Sequence, residues 1–155
     1  MTLLFFVDES ADRTHHYHVG LLASGEQVAA AEKELDQVAQ RALELGYNDG
    51  WPPGPELHGL EIFSGAKGWG ALSYEQRYQV VEAALDVLGR HGVEILARGV
   101  DLGRFEKRYS KGKAFLHQIA FRNLLERLCE RLRQRSELGL VIADEHYTKS
   151  VMRDE

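Results

Sequence analysis

An α/β or α+β domain built on a mixed sheet is the fold class this sequence predicts, on three observations. Two short apolar runs, Leu3 to Val7 and Leu138 to Ala143, each end in a pair of acids, the pattern of strands inside a sheet. Segments with helical spacing alternate with strand-like ones. The 155 residues, 44% apolar and 28% charged, suffice for one compact domain with a sizeable core.

Leu3 to Val7 suits a central strand buried on both faces, with Asp8, Glu9 and Ser10 directly behind it. A polar stretch from Asp8 to His15 leads into Tyr17 to Ala23, and the two apolar segments read as a hairpin. From Glu26 to Leu45 the residues Val28, Ala31, Leu35, Val38, Ala42 and Leu45 recur every three or four positions, with Gly46 as the C-terminal cap. The stretch from Tyr47 to Gly70 holds Pro52, Pro53, Pro55 and six glycines, which predicts a long loop with one turn around His58 to Phe63. Ser73 and Gln76 form a capping box for a helix reaching about Arg90. Val93 to Val100 is a short β-branched strand, followed by a basic loop. Phe115 to Arg135 is the strongest helix, burying Ile119, Leu124, Leu125, Leu128 and Leu132, and Cys129 is expected in the same packing. Leu138 to Ala143 is the last strand, ended by Asp144 and Glu145.

The longest apolar run is far shorter than the ~20 residues of a membrane span, and no basic leader precedes it. A single cysteine excludes an internal disulfide and a thiolate zinc cluster, so a cytoplasmic protein without a membrane partner is expected. The net charge of −5 argues against indiscriminate coating of nucleic acid, but it is unevenly spread. Residues 1–97 carry 6 basic and 15 acidic side chains, residues 98–135 carry 11 and 4, and residues 136–155 carry 2 and 5. The positive middle segment suits an anionic ligand near clustered carboxylates, or simply the basic solvent face of an amphipathic helix.

If the two acid-terminated strands lie parallel and adjacent, Asp8 and Asp144 meet at one sheet edge, where ligands of open α/β sheets bind. Carboxylates a few ångströms apart repel, so such an arrangement calls for a proton or a divalent cation. Oxygen ligands without thiolates favour Mg²⁺ or Mn²⁺, which activate water against a phosphodiester. Either Asp alone reads as an ordinary turn residue after a strand. His58 and Glu61 are three apart, so one helical turn places both on one face and makes Glu61 a third carboxylate. His15, His16 and His18 are read as surface histidines rather than ligands, although His16 and His18 share a strand face. No nucleophile setting and no phosphate-loop fingerprint is present. Arg98, Arg104, Lys107, Arg108, Lys111 and Lys113 suit phosphate binding, with Phe105 and Tyr109 either stacking on bases or packing inward.

Three stretches, Phe6 to Ser10, Glu56 to Glu61 and Val141 to Glu145, together resemble the motifs of the domain-of-unknown-function family numbered 3800. The resemblance covers most of the chain in the right order. It implies a ribonuclease-H-like fold in which Asp8, Glu61 and Asp144 surround a divalent metal. Such domains continue to a further acidic helix, whereas this sequence stops at Glu155, so the expectation is one domain over residues 1–155 lacking that C-terminal helix. Apolar side chains thereby uncovered would favour a homodimer.

The resulting expectation is a metal-dependent nuclease or phosphodiesterase using Mg²⁺ or Mn²⁺. Asp8, Glu61 and Asp144 would bind metal, and Glu9, His58 or Glu145 would orient water or relay a proton. Arg98, Arg104, Lys107, Arg108 and Lys113 would hold the backbone of an RNA or DNA partner. The alternatives are a non-catalytic nucleic-acid- or protein-binding module on the same fold, and hydrolysis of a small phosphorylated metabolite.

Overall fold

The computed structural model describes residues 2–49, 55–109 and 112–143, with backbone only at 113 and 114. The chain is mixed α/β, in the order β1 (Thr2–Ala11), β2 (His15–Ser24), α1 (Gly25–Glu44), α2 (Gly59–Ser64), a 3-10 helix (Lys67–Ala71), α3 (Tyr74–Arg90), β3 (Glu94–Asp101), α4 (Leu102–Arg108), α5 (Lys113–Arg135) and β4 (Leu138–Ala143). Two compact units divide it, Met1–Gly25 with Glu94–Glu155, and Glu26–Val93. No helix among the described residues is long and apolar enough to cross a membrane.

The first unit is a four-stranded sheet in the order β3-β2-β1-β4. β1 and β3 run antiparallel to β2, and β4 runs parallel to β1 in a ladder from Thr2↔Leu138 to Val7↔Ala143. The first strand is internal to the sheet, as expected, and the condition set for the two acid-terminated strands, that they lie adjacent and parallel, is met. The β1–β2 turn is closed by Asp12, whose Oδ1 accepts the amides of Thr14 at 2.6 Å and His15 at 2.7 Å. Burial along β1 alternates: Leu3, Phe5 and Val7 are buried while Leu4 and Phe6 are half-buried. Burial on both faces was expected, but α5 packs on the odd-numbered side.

That packing follows from the spacing in α5, where Leu116, Ala120, Leu124 and Leu128 recur every fourth residue and are all buried. Leu124 and Leu128 join Leu3, Phe5, Leu22 and Leu96 in the core of this unit. Burying a leucine fully is worth roughly 1.5–3 kcal/mol, so this stripe fixes the helix on the sheet. Cys129, one residue past the stripe, is exposed instead of buried. At the far end of α5, Arg131 and Arg135 hold the Glu94 carboxylate at 2.7 and 2.5 Å. Gly20 sits under the Phe5 ring, where a Cβ would stand 2.0 Å from Cζ, so the strand needs a residue without a side chain there. β4, at the sheet edge, is exposed along its whole length.

In the second unit, Ala42, Tyr47, Ile62, Trp69, Leu72 and Val80 form the core. Gly46, at φ +109, ends the first helix in a conformation that favours glycine. The capping box is present: Ser73 Oγ accepts the Gln76 amide at 3.2 Å, and Gln76 Oε1 accepts the Ser73 amide at 2.8 Å. Glu34 of α1 is held by Arg90 at 2.6 Å and His91 at 2.9 Å at the end of α3.

Candidate metal centre

Beyond Val7, strand alternation carries Glu9 to the side of the sheet that α5 covers. Antiparallel pairing sets Glu9 opposite His18 and Ala11 opposite His16, so both histidines lie on that same side. The first turns of α5 add His117, three residues before buried Ala120 and seven before buried Leu124. Three elements distant in sequence thus converge on one point.

Each of Glu9, His16, His18 and His117 offers one ligand atom there, and these atoms lie within 4.8 Å of one another. Glu9 Oε2 stands 3.0 Å from His117 Nδ1. The His16 ring packs edge-on against His117 at 4.3 Å and His18 at 4.9 Å between centroids, and His18 meets Phe121 at 5.8 Å. The floor is closed and the mouth open: His16 is 4% and His18 0% exposed, against 32% and 43% for the side chains of His117 and Glu9. A cleft of about 520 Å³ begins at Glu9, His16 and His117 and is walled by Leu102, Phe105 and Leu116.

Burial pushes the His18 imidazole down to about 4, with His16 adding repulsion and Glu9 opposing it. Burial, then the neighbouring His117, also lowers His16 from its ordinary 6.5. At neutral pH both rings are therefore neutral and carry the lone pair that a metal requires. The buried Nε2 of His16 has no hydrogen-bond partner among the described residues. A tetrahedral ion with ligands at ~2.1 Å has donor–donor edges of about 3.4 Å, so side-chain adjustments of about an ångström would close the cluster on an ion. The residues fit a divalent metal.

The expected site residues are distributed differently. Asp8 is exposed and, by alternation, on the opposite side of the sheet from Glu9, whose amide it accepts at 2.7 Å. Asp144 and Glu145 lie outside the described residues, as does the side chain of Lys113. His58 and Glu61 belong to the second unit, at the start of α2. They share a helix face as expected, 3.9 Å apart, and Glu61 Oε1 accepts Lys67 Nζ at 2.6 Å. Glu9 is thus the only expected site residue found in the cluster of potential ligands among the described residues.

The basic segment is also reshaped. Where a loop was expected, Asp101 caps α4 by accepting the Arg104 amide at 2.9 Å, so Arg104, Lys107 and Arg108 stand on a short helix. Phe105 turns inward and is buried, forming a ring cluster with Tyr109 and Phe115, while the Arg108 guanidinium lies 5.5 Å over Tyr109. Arg98 lies on β3 beside Asn123 and Arg127 of α5. Arg122, Arg127, Arg131 and Arg135 of α5 all pair with glutamates, which neutralises much of the helix's positive charge locally.

Of the three histidines read as surface residues, His16 and His18 are buried and His15 is half-buried, and His117 is not singled out by the sequence reading. The signal for His117 is its place on the Ala120–Leu124–Leu128 stripe, which turns it toward the sheet. The chain matches no protein-family model, no curated protein and no solved structure.

Proposed function

We propose that this protein is a divalent-metal-dependent phosphodiester hydrolase acting on nucleic acid, centred on His16, His18, His117 and Glu9. The observation that carries the reading is the convergence of these four donors, within 4.8 Å, with Glu9, His16 and His117 lining a cleft. His16, His18 and His117 would hold the ion. A divalent ion bound there supplies Lewis-acid polarisation of a phosphoryl oxygen and a water of lowered pKa. Glu9, at the mouth and bonded to His117, fixes that ring and is the base within reach of the cleft. Arg104, Lys107 and Arg108 stand on α4, the helix that supplies Leu102 and Phe105 to the cleft wall, and are suited to phosphate oxygens. The strand order, with only β4 parallel to β1, supports the ribonuclease-H-like relationship that the motifs suggest.

A second arrangement, Mg²⁺ or Mn²⁺ on carboxylates around Asp8, is favoured by the parallel ladder that ends at Val7↔Ala143, immediately before Asp8. One experiment tests the function and separates the arrangements. The purified chain is incubated with single-stranded RNA, single-stranded DNA and an RNA–DNA hybrid, with Mg²⁺, Mn²⁺ or Zn²⁺ added after chelation. Cleavage lost in His16→Gln but kept in Asp8→Asn is the expected result. Loss in Asp8→Asn alone moves the centre to the carboxylates, and no cleavage of any substrate overturns the function.

A further inference from the structure

We infer that the Glu9–His16–His18–His117 cluster is a site for a single borderline transition-metal ion of the Zn²⁺ class, discriminating against Mg²⁺. The inference deepens the functional reading and shares its residues, but it concerns the ion and stands or falls on binding.

The donor set carries it. Three imidazole nitrogens, with the Glu9 carboxylate beside them as an outer partner, match the preferences of Zn²⁺, Co²⁺ and Ni²⁺, whereas Mg²⁺ requires near-octahedral oxygen ligation and keeps several waters. The burial carries it further. His16 and His18 are 4% and 0% exposed, so an ion at the floor sheds most of its water, which Mg²⁺ does reluctantly. The Glu9–His117 contact supplies a second-shell element: if His117 donates its Nδ1 proton to Glu9 Oε2 at 3.0 Å, its Nε2 is left as the ligating atom. Three imidazoles with an open fourth position facing a cleft is the ligand count of a catalytic zinc site, as distinct from a closed structural one. His16 Nε2, buried without a hydrogen-bond partner among the described residues, gains in such an ion the partner that its surroundings do not give it.

The simpler account is that three rings merely pack edge to edge. Titration of the chelator-stripped full chain with Zn²⁺, Co²⁺ and Mg²⁺ by calorimetry decides between them. One Zn²⁺ per chain is expected, undisturbed by millimolar Mg²⁺. Co²⁺ should give the strong visible absorption of a four- or five-coordinate ion in place of weak octahedral bands. His16→Gln, which keeps a polar side chain of similar size, should weaken Zn²⁺ at least 100-fold. His117→Ala, at a partly exposed position, should do the same with the fold confirmed by circular dichroism, and Glu9→Gln should cost about 10- to 100-fold. Absence of Zn²⁺ binding, Mg²⁺ binding as tightly as Zn²⁺, or unchanged Zn²⁺ affinity in both histidine variants overturns the inference. Zn²⁺ bound at this site without cleavage of any nucleic acid would refute the hydrolase reading and leave the metal site intact, so the two failures are distinguishable.

Discussion

His16→Phe should make the metal-free protein more stable and the metal-loaded protein less so. The His16 ring is 4% exposed, lies between His117 and His18, and buries an Nε2 with no hydrogen-bond partner among the described residues. A buried polar atom left unsatisfied costs ~1–3 kcal/mol. Phenylalanine removes that atom and keeps an edge-to-face ring, while its extra volume, partly relieved by the adjoining cleft, offsets some of the gain. The net expectation is about 1 kcal/mol of stabilisation at pH 7 in chelator. The pH dependence has a definite sign. Because burial lowers His16 below its ordinary 6.5, the unfolded chain takes up a proton that the folded chain refuses, so wild-type stability falls as pH drops through that value. Phenylalanine has no such proton, and its advantage should widen at pH 5. With Zn²⁺ at about 100 times its Kd the wild type gains ~2.7 kcal/mol and the variant nothing, so the order inverts. Urea denaturation with chelator and with Zn²⁺, at pH 7 and pH 5, reads all of this. Destabilisation of the variant by more than about 1 kcal/mol in chelator at both pH values would show that the histidine is an ordinary core partner, and the reasoning would fail.

The remaining predictions concern the scaffold. Leu124→Ala, at a fully buried position beneath the sheet, should cost ~3–5 kcal/mol in urea denaturation, whereas Leu138→Ala on the exposed edge strand should cost less than about 0.5 kcal/mol. Equal effects would refute the assignment of α5 as the helix that covers the sheet. Tyr47, pushed up to about 12 by burial and its hydrogen bond to Asp49, should ionise well above the ordinary tyrosine value of 10 in a tyrosinate absorbance titration of wild type against Tyr47→Phe. Its raised value means that stability is held below pH 10 and lost as pH climbs from 10 towards 12, and Tyr47→Phe should abolish that part of the loss. Ser73→Ala, which removes one half of the capping box, should lower stability by ~1 kcal/mol in thermal or urea denaturation.

What could be read from the sequence was whatever a local signal fixes. Ser73 and Gln76 specify a helix start on their own, and Leu124 and Leu128 specify a buried helix face by spacing. Two apolar runs that end alike raise the partnership of β1 with β4 as a condition, and the parallel ladder meets it. The Glu9–His16–His18–His117 cluster was not visible because a strand tells which residues share a side but not which side is covered. Along β2, Tyr17, Val19 and Leu21 form the more apolar row, so the row of His16, His18 and Gly20 reads as the solvent side. Tertiary packing decided otherwise, since α5 covers the histidine row and Phe5 leans over Gly20. The basic loop failed as an expectation for a smaller reason: Asp101 was counted as a charge and not as a helix cap.

The Asp8–Glu9 pair shows how one strand end can serve two chemistries. Successive residues of a strand face opposite sides, so the pair cannot put both carboxylates on one ion without breaking the ladder, and Asp8 and Glu9 are both still within β1. Each carboxylate must find its partners on its own side. For Glu9 these are three imidazoles, two of them buried, a set that could hold a positive ion without the mutual repulsion that an all-carboxylate site must overcome. Opening the hairpin or moving α5 by a few ångströms would separate the imidazoles of β2 from that of His117. Metal binding at the cluster would therefore depend on the packing of Leu116, Ala120 and Leu124 against the sheet, and an ion bound there would brace the same helix–sheet contact that gathers its ligands.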